Sequence, residues 1–349
     1  MKNLELLNNI LSNNEDSCFI IAEIGQAHDG SLGTAHAYID AVARAGANAV
    51  KFQTHIAEAE SSHLETFRVK GFPQDATRYD YWKRMEFTFA QWQDLVDHAT
   101  AKGLVFLSTP FSIEAVDLLE KLNIQAWKIS SGEIENIPLL EKMAQTNKPL
   151  LFSSGMSSWK NIDDAVAIAK KYHLDYSIFQ CTTSYPCPAD KIGLNVIQEI
   201  QSRYACPSGL SDHSGTIYSG LAAVTLGARF LELHLTFSKE CFGPDVSSSI
   251  TLEQLQQLVD GVGFLLKARH QIVDKDQIAS EMQELKTLFG KSMFAKRDLK
   301  KGSKLQESDI ALKKPGTGIP AKHFSKVLGK VLLKDYTAGE QLKEIDIEH

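Results

Sequence analysis

Ser208-Gly-Leu-Ser-Asp-His-Ser-Gly215, and after it Phe230-Leu-Glu-Leu-His-Leu-Thr236, are two runs of strand length that each close on a cluster of polar, ionisable side chains. Such a run, followed by small residues and a helical pattern, is how a parallel strand buried on both faces delivers a side chain to the mouth of a barrel. Two of them in succession, tipped by His213 and His234, can hold one divalent metal between them. The plainer alternative is a pair of unrelated histidines, each satisfied by a backbone carbonyl.

Outward from these strands the same unit recurs. Strand-like runs are expected at Cys18–Ile24, Ala49–Gln53, Leu104–Thr109, Ala126–Ser130, Pro149–Ser153 and Tyr176–Cys181. Helical patterns fall between them at Ala35–Ala45, Ile113–Leu122, Ile137–Gln145, Ile162–Lys171 and Tyr218–Leu226. Eight strands alternating with helices within about 250 residues is the arithmetic of an α/β fold of the TIM (β/α)8 type. A doubly wound open sheet wants a GxGxxG turn after its first strand, and Gly25–Gly30 does not supply one. The charged stretch His55–Glu86, with Tyr79, Tyr81 and Trp82, is too long for a βα connection and reads as an active-site excursion.

After Arg269 the pattern changes. Gln271–Glu284 is polar and reads as a linker or a solvated helix. Short strand-like pieces follow at Ser292–Ala295, Ile310–Leu312 and Lys330–Leu333, punctuated by Lys301-Gly302, Pro315-Gly316 and Ala338-Gly339. The expected organisation is therefore a barrel over residues 1–270, a linker over 271–290 and a small, mainly β domain over 291–349.

The bulk numbers fit an ordinary globular chain: 349 residues, 43% hydrophobic and 23% charged. A formal net charge of -6 argues against nucleic acid as a partner. Met1–Ser17 lacks the basic start and apolar centre of a signal peptide, and no apolar run reaches the roughly 20 residues of a membrane span. Five cysteines form no CxxC pair and leave an odd one over, which suits a reduced, cytoplasmic protein. Cys181, near the mouth, reads as a small buried hydrophobe or a reactive thiol.

The polar residues gathered at the strand ends are Glu23, Gln26, Lys51, Gln53, Ser108, Thr109, Lys128, Ser131, Ser153, Ser154, Tyr185, Ser211, His213 and His234. A lysine on an apolar strand is costly unless paired, so Lys51 and Lys128 point to function. Together with the hydroxyls they suit a small polyanion bearing phosphate or carboxylate. Two histidines suit a divalent ion acting as a Lewis acid, and a carboxylate at the end of the first strand suits proton transfer. Glu23 can also simply bridge a lysine; Glu133 and Glu232 read as salt-bridge residues behind the site. The set points to joining an anionic carbon nucleophile to an aldehyde.

Ile21-Ala-Glu-Ile-Gly25 and Ala49-Val-Lys-Phe-Gln-Thr-His55 resemble the sialic acid synthase family. So do Phe106-Leu-Ser-Thr-Pro-Phe111, Lys128-Ile-Ser-Ser-Gly132, Ser153-Ser-Gly-Met156, Cys181-Thr-Thr-Ser-Tyr-Pro186, Leu210-Ser-Asp-His213 and Gly243-Pro-Asp245, in the family's order and spacing. The resemblance implies a barrel followed by an antifreeze-like (SAF) domain, here Ser292–Ile347, in a homodimer whose small domain covers the partner's site. It implies condensation of phosphoenolpyruvate with an N-acylated hexosamine such as N-acetylmannosamine, giving a nine-carbon 3-deoxy-2-keto acid (N-acetylneuraminate) and phosphate. Carbon three of the enol ether attacks the aldehyde, water adds at carbon two, and the tetrahedral intermediate expels phosphate.

Residue by residue, the resemblance implies that His213 and His234 bind Mn2+ or Mg2+ and that Glu23 is the general acid/base. Lys51, Lys128, Ser131, Ser153 and Ser211 would hold phosphoenolpyruvate, and Gln53, Tyr185 and Asp245 the sugar. Where the family offers an arginine before Pro-Gly in the SAF domain, to reach the partner's sugar, this chain has Lys314, which keeps the charge and loses the planar fork. Three other readings stay open: a legionaminic or pseudaminic acid synthase, a Schiff-base aldolase using Lys51 or Lys128, and a non-catalytic sugar-binding barrel.

Overall fold

Alternation of side chains decides the architecture. In a computed structural model that describes residues 2–68 and 74–348, the chain divides into two compact units, Met1–His270 and Gln271–His349. The first is a parallel barrel of β1 (Phe19–Gly25), β2 (Ala49–Thr54), β3 (Val105–Pro110), β4 (Trp127–Ile129), β5 (Leu150–Ser153), β6 (Tyr176–Cys181), β7 (Ser208–Asp212) and β8 (Phe230–Thr236). The hydrogen-bonded order β3-β2-β1-β8-β7-β6-β5-β4 brings the ends round to each other; β3 and the three-residue β4 lie side by side without ladder bonds. A short β9 (Ile250–Thr251) extends β8.

The outward residues of the strands, such as Ile20, Ala22, Val50, Phe52, Phe152, Leu231 and Leu233, pack under the surrounding helices as one core. The inward residues make a second core: Phe19, Ile21, Ala49, Val105, Leu107, Ala126, Leu151, Phe179 and Phe230. It is closed from below by Leu7, Ile10 and Leu11 of an N-terminal helix, α1 (Lys2–Leu11), in a stretch the sequence presented only as polar with scattered leucines. Gly209 is required here, since a Cβ would stand 2.8 Å from Phe230 Cβ and 2.9 Å from Phe179.

Two residues further up each strand, the same inward parity turns ionisable. Phe19 and Ile21 lead to Glu23, Ala49 to Lys51, Ala126 to Lys128, Leu151 to Ser153, and Phe230 to Glu232 and His234. A strand repeats every two residues, so one register places all of these side chains over the apolar layers and inside the mouth.

The excursion His55–Glu86 carries the helices Ala57–Glu60 and Arg78–Met85, the second opened by a Thr77/Asp80 capping box. Ala57, Tyr81, Trp82 and Met85 give it a small core of its own. Residues 69–73 of the segment lie outside the described residues.

In the second unit, Lys275–Glu281 and Gln283–Phe289 are short helices where a linker or solvated helix was expected. An antiparallel pair, β10 (Ser292–Ala295) and β11 (Ile310–Lys313), then opens a fold of isolated bridges around Met293, Leu299, Leu305, Leu332, Tyr336 and Leu342. Among the described residues no helix is long and apolar enough to cross a membrane.

Candidate active site

The mouth of the barrel encloses a cavity of about 380 Å³. Glu23, Lys51, Gln53, Lys128, Ser131, Ser153, Tyr185, Ser211, His213, His234 and Asp245 all line it. Ser108 and Ser154 do not. The Ser108 hydroxyl lies 2.7 Å from Thr54 Oγ1, and Ser154 donates to the Phe179 carbonyl at 3.0 Å. In β3 the parity of Val105 and Leu107 selects Thr109 as the inward residue, which puts Ser108 on the other side. Lys314 belongs to the second unit, where its ammonium stands 5.0 Å from the centre of the Phe289 ring.

At the floor of the cavity two carboxylates and two ammonium groups alternate. Lys51 Nζ lies 2.5 Å from Glu23 Oε2 and 3.8 Å from Glu232 Oε1. Lys128 Nζ lies 3.4 Å from the same Glu232 oxygen and donates to Ser153 Oγ at 2.5 Å. Ser211 donates to Glu232 at 3.3 Å, and Gln53 donates to Glu23 Oε1 at 2.9 Å. Glu232 is thus a salt-bridge residue, as its sequence suggested, but it also lines the cavity and holds both lysines apart.

Burial sets the proton affinities. It pushes Glu23 up to about 7, against the pull of the Lys51 ammonium and with a further push from Glu232. Burial also acts to raise Glu232, yet Lys128 and Lys51 outweigh it and hold that carboxyl below the usual range. Lys128 is drawn down, chiefly by burial, with Glu232 opposing and Lys51 assisting. A carboxyl near neutrality beside a fixed carboxylate is the division of labour that acid/base chemistry uses.

Above this layer His213, one residue past β7, and His234 in β8 face each other with ring centres 5.3 Å apart. His213 donates from Nδ1 to the Thr182 carbonyl at 2.9 Å, which fixes its tautomer and leaves Nε2 with a free lone pair. Burial holds His234 neutral, its imidazole pushed down to about 4. Burial acts to lower His213 too, yet Cys181 and the Thr182 carbonyl outweigh it and raise that imidazole. Once both rings are neutral, two imidazoles that close together fit one divalent ion with nitrogens at about 2.1 Å. Among the described residues no cluster of three or more His, Cys, Asp and Glu side chains is arranged to hold a metal. Any donor set offered to such an ion here would be this pair of histidines.

The rim is where sequence reasoning missed most. Tyr185 stacks on His213 with ring centres 4.1 Å apart, and the Arg68 guanidinium lies 4.0 Å above Tyr185 while bonding Asp245 at 2.6 Å. Arg78 pairs with Glu65 at 2.9 Å beneath the Trp82 face. Arg68 sits in an irregular part of the excursion and Arg78 opens its second helix, both outside the alternation that marks inward residues on the barrel strands. His55 was legible only as part of a motif; it lies flat between Trp82 and Phe111, at 3.9 and 4.5 Å.

Comparison with known proteins identifies the family. Residues 38–274 match the NeuB family and residues 290–348 the SAF domain. The chain is 34% identical over 333 residues to the N,N'-diacetyllegionaminic acid synthase of Campylobacter jejuni, covering 93% of this chain and 98% of that one. It is 33% identical over 341 residues to the human N-acetylneuraminate-9-phosphate synthase, covering 93% and 92%. The structure of an N-acetylneuraminic acid synthetase from Leptospira borgpetersenii, in complex with citrate, superposes with a TM-score of 0.68 at 31% identity, over 77% of this chain and 91% of that one. Matches that span both units, with a barrel mouth laid out as described, lead to one conclusion: the chain belongs to the NeuB family of synthases and carries a SAF domain at its C-terminal end.

Proposed function

We propose that this enzyme condenses phosphoenolpyruvate with an N-acylated hexosamine, N-acetylmannosamine first among them, to give N-acetylneuraminate and phosphate. The observation that carries the reading is the convergence of Glu23, Lys51, Lys128, His213 and His234 in one cavity. Lys51, Lys128, Ser131, Ser153 and Ser211 bind the phosphate and carboxylate of phosphoenolpyruvate, displacing the internal ion pairs. The resting floor is balanced, two carboxylates against two ammonium groups. An arriving anion therefore competes with Glu23 and Glu232 for the lysines, and a proton taken up by Glu23 removes one competitor.

Glu23 then holds that proton beside the reacting carbons and gives or takes it as the enol ether adds to the aldehyde and water adds at carbon two. Gln53, Tyr185 and Asp245 orient the sugar. A divalent ion, Mn2+ or Mg2+, held by His213 and His234 when bound, supplies Lewis-acid polarisation of the sugar carbonyl. The SAF domain, with Lys314, covers the partner's site in a cytoplasmic homodimer; five free cysteines suit that compartment.

A second substrate, the diacetylated precursor of legionaminic acid, is favoured by the similarity to the Campylobacter enzyme. One experiment separates them. The protein is incubated with phosphoenolpyruvate, Mn2+ and a panel of N-acyl hexosamines, phosphate is followed, and the product is identified by mass. Phosphate release with N-acetylmannosamine supports the first reading and release only with a diacetamido sugar the second. No release with any of them, or activity that resists chelation and is trapped by borohydride, sinks both.

A further inference from the structure

A chain of hydrogen bonds runs along the cavity wall into Gln53 and Glu23 from residues that none of the steps above uses. It starts in the excursion at Glu60, whose Oε1 lies 2.6 Å from His55 Nδ1. His55 Nε2 stands 3.2 Å from Gln26 Nε2 and 3.2 Å from Gln53 Oε1. Gln26 Nε2 also donates to Gln53 Oε1, and Gln53 Nε2 donates to Glu23 Oε1 at 2.9 Å. The Tyr81 hydroxyl donates to Gln26 Oε1 at 3.4 Å. Trp82 and Phe111 clamp the His55 ring, and the His55 and Glu60 side chains are only 3% and 7% exposed.

With Glu60 accepting, the His55 ring neutral and Gln53 donating to Glu23, these donors and acceptors close in one way. Glu60 accepts, so His55 carries its proton on Nδ1 and presents a lone pair at Nε2, which makes the 3.2 Å approach of Nε2 to Gln53 Oε1 a contact rather than a bond. That lone pair takes one N–H of the Gln26 amide, which turns the other toward Gln53 Oε1. Gln53 is then left to offer its own N–H to Glu23. Flipping Gln53 sets a donor against the Gln26 donor and an oxygen against the Glu23 carboxylate, and flipping Gln26 sets its oxygen against Gln53 Oε1 and the His55 lone pair. Simple packing of the excursion would need the aromatic clamp but not this order of donors.

We propose that Glu60 and His55 are positioning residues for the condensation. By fixing the His55 tautomer they set the faces of the Gln26 and Gln53 amides and so hold a donor on Glu23 from four residues away. The inference rests on the reading of Glu23 as the acid/base group. Gln53 ties one Glu23 oxygen and Lys51 the other, so loss of the donor lets the carboxyl turn out of line with the reacting carbons.

The test uses the full-length enzyme with phosphoenolpyruvate, Mn2+ and a hexosamine that the wild type turns over. Glu60→Leu removes the acceptor at the head of the chain, whereas Glu60→Gln keeps an oxygen for the His55 N–H. His55→Phe keeps the aromatic clamp, and Gln26→Leu cuts the chain further along. Glu60→Leu and His55→Phe are expected to lower kcat by about 10- to 100-fold, with KM for phosphoenolpyruvate within about twofold of wild type. Glu60→Gln should stay within about threefold of wild type, and Glu60→Leu should cost nothing further in a Gln26→Leu background, to within about twofold.

Wild-type kcat in Glu60→Leu, equal damage from Gln and Leu, or additive losses in the double variant would each overturn the proposal. A second measurement needs no turnover. Nitrogen NMR of 15N-histidine-labelled protein, with His55→Phe to assign the resonances, should show a neutral His55 ring protonated on Nδ1. A ring protonated on Nε2 overturns the chain. If the wild type consumes no phosphoenolpyruvate with any hexosamine, the condensation reading falls, and the tautomer still decides this proposal separately.

Discussion

Replacing Lys51 by methionine keeps most of the volume and removes the ammonium that stands 2.5 Å from Glu23 and 3.8 Å from Glu232. Lys51 is 3% exposed, and the methionine side chain fills most of the space it leaves. Deleting one partner of a buried pair costs about 3–5 kcal/mol, because a carboxylate is left without compensation in a poorly polarisable interior. Glu23 can avoid that cost by keeping a proton. In the wild type burial raises its carboxyl to about 7 although Lys51 pulls it down, so without Lys51 it stays protonated well above neutrality.

The sign of the pH effect follows. A carboxyl raised on folding stabilises the fold at low pH and loses that contribution as pH rises through its folded value. The wild type gives up the Glu23 proton near pH 7 and the variant does not. The variant's deficit should therefore be a flat, small offset below about pH 7, from the lost Glu232 contact. Above it the deficit grows by about 1.4 kcal/mol per pH unit toward the 3–5 kcal/mol ceiling. All four tryptophans, Trp82, Trp92, Trp127 and Trp159, lie in the barrel unit, so urea unfolding followed by their fluorescence reports that unit alone. A deficit that is the same at pH 6 and pH 9, or absent at pH 9, refutes the pairing of Lys51 with an elevated Glu23.

Three further outcomes are expected. His213→Ala and His234→Ala should each abolish phosphate release and weaken Mn2+ binding by calorimetry, with the urea midpoint little changed; an active variant counts against the imidazole pair. Gly155→Ala places a Cβ against Ser131 Oγ and Thr183 Oγ1, so KM for phosphoenolpyruvate should rise by about tenfold or more while the fold survives. Leu7→Ala empties a fully buried position under the barrel and should cost about 2–5 kcal/mol in unfolding with kcat unchanged; a large kcat effect would mean that the base and the mouth are mechanically coupled.

Much of the barrel was legible because a buried parallel strand leaves a long apolar signature whose polar end is the mouth. β6 and β8 fall where the sequence places them, and the other barrel strands differ by a residue or so at their ends, except that the β7 strand stops at Asp212 before the quoted run ends. The two serine errors have a physical source that could have been used: Ser108 and Thr109 are consecutive, so only one of them can face inward, and Leu107 already fixes which. What α1 does was not legible. Its residues Leu4, Leu7 and Leu11 carry helical spacing, but apart from the nearby Phe19 their partners, such as Phe179 and Phe230, come from strands far along the chain. The same holds for Glu232 and Arg68, whose roles exist only once Lys51 and Lys128, or Tyr185 and Asp245, are set beside them by the closed sheet.

The barrel axis also explains why such a mouth is tolerable. Glu23, Lys51, Lys128 and Glu232 are all nearly removed from water, and a buried ionic layer is weak support for a fold even when fully paired. The layers beneath it, from Leu107 and Phe179 down to the α1 plug, are built mainly of apolar side chains, with the buried Ser177 hydroxyl donating to the Pro207 carbonyl. Because both halves hang on the same eight strands, the ladder register that orders the layers below also sets the spacing of the lysines and carboxylates above. Electrostatic catalysis needs that spacing set before substrate arrives. A barrel with its charges spread along the axis would lose both the packed base and the preorganised mouth.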